Sequence, residues 1–447
     1  MQGQVTMPSR KVCVGLVLGT LLLTGSVAAA QTAPPIVNRP AATLLLPYFE
    51  VDLDNAQGMT TLFSVNNASA TAILAHLTLW SDLGVPVFAF NMYLTGYDAQ
   101  TLNLRDVLNG VLPFTASAGQ DPRDTISPHG PVSQDINYAS CTGILTVPGG
   151  GNNPQQPQVP PIYLPYLRAA LTGGASSFHA GRCVSRNLGT PSIARGYVTV
   201  DTVNSCTLMM PSDPGYFQAI ATFQNTLWGD YQYIDASTDT AFGDSLVHIT
   251  TNFTDPEVNT PGEYTFYGRF TGWTAVDHRE PLATSFATRF VSPKDFKTVA
   301  KSRRRAVMAP ATELLVWRDP KVASVNSFAC GGAPTWYPLN QESVRAFDEQ
   351  ENTEAVTSPT RVFPAATQRV SVSTTSLPVS FASGWLFLNL NTVVAAAGAN
   401  PPEDPAAAQA WVTVLQRVRQ GPNGGRYEVG YRAVRLDSAQ NASHFIP

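Results

Sequence analysis

Apolar residues recur at every second position through much of this chain, and that period restricts it to strands of half-buried sheets. In Ile73-Leu74-Ala75-His76-Leu77-Thr78-Leu79-Trp80 the odd positions are all apolar and the even ones mixed. The next run puts Phe88, Phe90, Met92 and Leu94 on one face, with Asn91 and Tyr93 on the other. Turn residues in Asp82-Leu83-Gly84-Val85-Pro86 join the two runs into a predicted hairpin. TLLLPYFEVDL and TTLFSV, separated by Asp54-Asn55 and Gly58, read as strands. So do ARGYVTVDTV, DSLVHITTNF, EYTFYGRF, TELLVWRD, QRVSVS and GWLFLNL. A second hairpin is predicted from Trp411–Val418 and Tyr427–Leu436 around Gly421-Pro422-Asn423-Gly424-Gly425, a turn rich in residues that tolerate positive φ. Helices are few: Pro405–Ala410, capped by Asp404, and Tyr163–Leu171. The expected class is mostly β, with two antiparallel β-sandwich-like domains, a loop-rich insertion and few short helices.

Lys294, Lys297, Lys301, Arg303, Arg304 and Arg305 place six of the chain's 28 Lys and Arg residues between Lys294 and Pro310, a stretch without strong apolar periodicity. Such a run reads as a solvated interdomain loop in preference to a contact patch for an anionic polymer or membrane surface. It divides an N-terminal sandwich at 31–300, carrying the insertion at about 115–190, from a C-terminal sandwich at 301–447.

The first thirty residues set the compartment. Arg10 and Lys11 precede an apolar segment, Val12 to Thr24, too short to span a bilayer, and Val27-Ala28-Ala29-Ala30 before Gln31 is a small-residue cleavage pattern. A secretory signal peptide at 1–30 is therefore expected, with a periplasmic or extracellular mature chain. Cleavage removes Cys13 from the five cysteines and leaves Cys141, Cys183, Cys206 and Cys330. An even number in an oxidising compartment favours two disulfides, with three possible connectivities. The Gly- and Pro-rich PGGGNNPQQPQVPP between Cys141 and Cys183 argues for a bridge closing that loop, stabilising by about 3–4 kcal/mol. Cys206–Cys330 would then be the second. Charged residues make up only 13% of the chain, against about 25% in ordinary globular proteins. A net charge of −4 gives no reason to expect nucleic acid as a partner. No later stretch reaches the ~20 uninterrupted apolar residues of a membrane helix, so no integral membrane segment is expected in the mature chain.

Phe242-Gly243-Asp244-Ser245-Leu246 is similar to the nucleophile block of GDSL-type esterases, and the resemblance implies Ser245 as a nucleophile. In that family the block ends an apolar parallel strand near the mature N-terminus; here polar DASTDTA precedes it, more than two hundred residues in. The Gly-x-Asn-Asp block is missing. So is the Asp-x-x-His pair, since Asp277 and His278 are adjacent and His444 lies seven residues after Asp437. A surface serine opening the strand Leu246–Thr250 is the preferred reading. Asp277-His278-Arg279-Glu280 groups acids, a base and an imidazole, but adjacent side chains on extended backbone point apart, and a salt-bridged turn is expected. His76, between Leu74 and Thr78, reads as a partly exposed sheet-face histidine. The six histidines show no tight metal spacing. Glu50, Asp52 and Asp54, with Asn55 and Gly58, resemble the start of a calcium loop, but Ala56 stands where a third ligand is needed and no bidentate Glu follows. They read instead as acids closing a strand into a turn. No metal and no cofactor are expected.

Aromatic density between Tyr216 and Trp273 is the strongest binding hint. Trp228, Tyr231, Tyr233, Tyr264 and Trp273 are the candidate binding residues, because aromatics exposed on a sheet stack on sugar rings or fill a partner's pocket. For the Trp residues, core burial is the competing and favoured reading. TLLLPYFEVDL, TTLFSVNNASATA, RGYVTVDTVNSC, LWGDYQYID and the segment from TELLVWRD to AFDEQEN resemble parts of a group of secreted bacterial proteins of no assigned function. The resemblance covers most of the mature chain and implies bacterial export. It supplies no catalytic residue, substrate or fold. The expected role is a non-catalytic binding or structural component of the periplasm or cell surface, whose partner is a protein or glycan. A Ser245 hydrolase and a carbohydrate-binding module are the alternatives.

Overall fold

The computed structural model describes residues 39–113, 159–251, 265–271, 276–292, 309–320, 327–334, 337–339, 341, 343–356, 362–373, 376–391, 409–419 and 426–436. The predicted signal peptide, the core of the 115–190 insertion and most of the Lys294–Pro310 boundary segment lie outside them, as do residues 405–408 of the helix predicted at Pro405–Ala410, whose last residue begins a strand instead, and the turn at Gly421–Gly425.

Strands β1 (Thr43–Asp52), β3 (Ile73–Ser81), β4 (Pro86–Leu94), β6 (Ile193–Val203) and β10 (Val247–Ile249) form one sheet in the order β10-β1-β6-β3-β4. Its pairs are all antiparallel, and β3–β4 is the predicted hairpin. The β1–β6 register shifts between Leu46 and Phe49, where Pro47 has no N–H to give the ladder. A second sheet runs β5 (Ala99–Asn103), β2 (Met59–Asn67), β8 (Asp230–Asp235) and β9 (Thr240–Ser245), with β7 (Leu227–Trp228) also paired to β2. Leu44, Leu46, Leu77 and Val198 of the first sheet meet Phe63, Val65, Tyr231 and Phe242 of the second in one apolar core. Helices α1 (Leu104–Leu108) and α2 (Leu164–Thr172) seal its end with Leu104, Val107, Leu167 and Leu171. Asn103 caps α1 by accepting from the Arg105 N–H, and Gly173 ends α2 at a left-handed φ of 81°, as a helix C-terminus favours.

The C-terminal strands build a second sandwich. One sheet orders β14 (Thr353–Ala355), β13 (Ser343–Phe347), β16 (Ser383–Asn389), β11 (Ser285–Val291) and β19 (Val434–Arg435). The other orders β15 (Thr367–Ser371), β12 (Ala309–Arg318), β17 (Ala410–Arg419) and β18 (Arg426–Arg432), and β17–β18 is the second predicted hairpin. Phe286, Phe290, Leu386 and Leu388 face Leu314, Val316, Val412 and Val414 across this core. The molecule is thus mostly β, with antiparallel sheets and few short helices.

The β12–β17 sheet is buried on both faces. Leu314 and Val316 point into the second sandwich, while Leu315 packs in the core of the first, and Trp317 and Trp411 pack on the outer face of its β1–β6–β3 sheet. Period two thus delivers alternate residues of one strand to different cores. At the same seam Phe242 lies over Gly430: a Cβ there would come within 1.9 Å of Phe242 Cε2, so β9 and β18 need the bare backbone.

Three expectations are corrected here. EYTFYGRF, expected as a strand, is over its described residues a turn leading into the short helix Gly268–Thr271. His76 is wholly buried, not part-exposed, because an aromatic layer with Trp80, Tyr197, Tyr216, Tyr267 and Trp317 covers the outer face of its sheet. Its Nδ1 lies 2.9 Å from Asn91 Oδ1, and burial lowers the imidazole's pKa. The disulfide pairing also differs. Cys183 bonds Cys330, 147 residues away, with Cα atoms 5.0 Å apart. Cys183 exchanges backbone hydrogen bonds with Phe328 and packs beside it and Leu83, so its spatial neighbour is a distant segment and not the Gly/Pro-rich loop. Cys206 is disulfide-bonded as well, and Cys141 lies outside the described residues.

Candidate functional site

Ser245 closes β9, opposite Asp230 in an antiparallel pair, and not at the end of a parallel strand. Its N–H donates to Asp244 Oδ1 at 2.7 Å. Arg432 holds the Asp244 carboxylate at two points, 3.0 and 3.2 Å, and also donates to the Ser245 carbonyl. His248, three residues on, accepts the Gly229 N–H on Nε2. Burial, reinforced by the Arg432 charge, pushes that imidazole down to about 4. The nitrogen a nearby base would offer is therefore already engaged.

Asp277-His278-Arg279-Glu280 is salt-bridged as expected, but inside the protein and with a partner from elsewhere in the chain. Arg279 is fully buried, with Nη1 2.9 Å from Asp277 and Nη2 3.6 Å from Asp201. Its Nε donates to Thr43 Oγ1 at 2.5 Å, and that hydroxyl donates to Asp201. The Tyr216 and Tyr267 hydroxyls donate to Asp201 too. Glu280 turns outward to Thr250 and Arg39. A second buried pair, Arg269–Asp319 at 3.2 Å, lies under Trp80 and Phe270. Both clusters are sealed from solvent and tie the segments over the first sheet to it.

The acidic triplet ending β1 disperses. Glu50 accepts the Tyr48 hydroxyl at 2.6 Å and faces Arg195 and Arg369 at 3.6 and 3.7 Å. Asp52 accepts the Asp54 and Asn55 N–H groups, which is the expected closing turn, and Asp54 pairs with Arg168. Among the described residues no group of three or more His, Cys, Asp or Glu side chains stands together as a metal site, and no helix is long and apolar enough to cross a membrane.

The predicted aromatic face exists but points inward. Tyr231 and Tyr233 share it, with rings 5.3 Å apart, and both are buried in the first core, so they form no exposed stacking surface. Only Trp228 of the five candidates is exposed among the described residues, at 45%; Tyr264 and Trp273 lie outside them.

A different aromatic group lines an open cleft of about 510 Å³ on the second sandwich. Phe347, Trp385 and Arg289 stand opposite one another on β13, β16 and β11. The alternate residues Ala346, Leu386 and Phe290 fill the core, so this row faces outward. Phe347 and Trp385 stack flat, with centroids 4.0 Å apart and planes 4° from parallel. Gly384, at φ +146°, brings the strands together: a Cβ there would fall 1.8 Å from the Phe347 carbonyl oxygen. Arg289 reaches Glu349, in the turn after β13, at 3.2 Å; both side chains are largely exposed. Tyr431 of β18 completes the wall, its hydroxyl donating to the Arg289 carbonyl at 3.2 Å and lying 3.4 Å from Thr288 Oγ1. Sequence reasoning missed this site because GWLFLNL is apolar in both phases. One parity of that strand had to face outward, and period alone does not say which.

No protein-family model matches the chain, and no curated protein resembles it in sequence at a significant level.

Proposed function

We propose that this is an exported, non-catalytic binding protein that holds its ligand in the Trp385 cleft. The observation that carries the reading is the cleft itself. A stacked indole, 38% exposed, stands beside a second tethered ring and an exposed ion pair, inside a volume of about 510 Å³. Ligand sites are concave, of ~300–1,000 Å³, with aromatic walls and a few placed polar groups. The Cys183–Cys330 bond suits the oxidising compartment to which the predicted signal peptide would deliver the chain. The binding test is intrinsic fluorescence titration against soluble glycans, peptides and amphiphiles. A saturable response lost in Trp385→Ala is expected; silence across all three classes contradicts the reading. Labelling by a serine-reactive fluorophosphonate that disappears in Ser245→Ala would replace it with a hydrolase.

A further inference from the structure

We infer that the ligand of the Trp385 cleft is a neutral glycan, with a pyranose ring lying on the indole and its hydroxyls shared between Arg289 and Glu349. This rests on the cleft being a binding site and goes further by naming what binds.

The rings are preset. Trp385 is braced on one face by Phe347, and Tyr431 is anchored through its hydroxyl to the backbone of β11. Little side-chain freedom is lost when something settles on them, which favours binding by preorganisation. Among the described residues lining the cleft, the charged groups besides Arg432 are one donor fork and one acceptor carboxylate, Arg289 and Glu349, whose charges cancel. The other lining cation, Arg432, is held by Asp244. A flat apolar surface flanked by donors and acceptors without net charge complements an uncharged ring with C–H faces and a rim of hydroxyls. The Arg289–Glu349 pair is exposed, and such pairs contribute little to stability, so hydroxyls can replace its single contact without a large penalty.

Other ligand classes fit less well. A peptide added as a strand needs free backbone edges, but β16 is hydrogen-bonded on both sides, to β11 and β13. An anionic polymer would want an excess of cations, which the balanced pair denies it. A lipid chain would leave the ion pair buried against hydrocarbon.

The test titrates the oxidised full-length mature chain with cellotriose, maltotriose, laminaritriose and N,N′,N″-triacetylchitotriose, reading tryptophan fluorescence. Parallel arms use trigalacturonic acid, a neutral tripeptide and detergent below its micelle concentration. At least one neutral trisaccharide is expected to bind saturably with little dependence on salt. Trp385→Ala should weaken it about tenfold or more. Glu349→Gln, an exposed change that leaves the fold intact, should weaken it without altering the far-UV spectrum, whereas Trp228→Ala on the other sandwich should not affect it. Saturable, Trp385-dependent binding of the acidic sugar, peptide or detergent in place of the neutral sugars would overturn the glycan assignment and keep the cleft as a site. Absence of binding in every arm would overturn both.

Discussion

Replacing Arg279 by Met should be among the most damaging single substitutions in the first sandwich. Arg279 is wholly buried between Asp201 and Asp277, also without exposure. Removing one partner of a buried ion pair destabilises by about 3–5 kcal/mol, because the remaining charge has neither water nor counter-ion. The surroundings moderate that figure. Asp201 would keep the Thr43, Tyr216 and Tyr267 hydroxyls, and Asp277 would keep the backbone N–H groups of Tyr267 and residue 279. A loss of about 3–4 kcal/mol is therefore expected, read as a lower urea midpoint with unchanged slope, followed by near-UV dichroism of the tyrosine-rich layer. Neutralising all three in Asp201→Asn/Asp277→Asn/Arg279→Met should cost less than the single change, since no bare charge is left behind. A single-variant loss below about 1 kcal/mol, or a triple variant worse than the single, would refute the claim that Arg279 and its two aspartates act as one ion-paired unit.

Two further predictions follow from the disulfide and from His248. Cys183→Ser/Cys330→Ser should lower stability by about 3–5 kcal/mol, given the 147-residue separation of the bonded cysteines; an unchanged thermal midpoint would show the bond to be dispensable. His248 is held near pKa 4 in the fold, against about 6.5 unfolded. The unfolded chain thus takes up the proton first, and stability falls as pH drops from about 6.5 to 4, by about 3 kcal/mol at most from this group. His248→Gln should flatten the urea-midpoint profile over that interval, and a profile as steep as wild type would contradict the assignment.

The fold was largely legible because period-two alternation reports strands directly, and both predicted hairpins, β3–β4 and β17–β18, are present. Coverage of the faces was not legible. His76, Thr78 and Trp80 alternate with Leu77 and Leu79 as on a half-exposed sheet, yet segments about 135–240 residues away in sequence supply the layer over them, through Tyr216, Tyr267 and Trp317. Nothing local announces such a partner. The same blindness governs the ion cluster: Asp277 and Arg279 stand out as a pair, while Asp201, buried within an apolar strand, gives no sign of joining them. The Cys183 pairing failed for a related reason, since loop composition speaks for local closure and strand docking at Phe328 decides otherwise. In the cleft, Trp385 stood in a recognised strand, but its role depends on Arg289 and Tyr431, brought beside it only by the order β16-β11-β19 and the docking of β18.

Hydrogen–deuterium exchange with and without a bound neutral trisaccharide tests the central claim most directly. Protection confined to β11, the turn carrying Glu349, β16 and the Tyr431 end of β18 is the expected footprint. Protection centred on Ser245 and His248, or around Trp228 on the other sandwich, would contradict it.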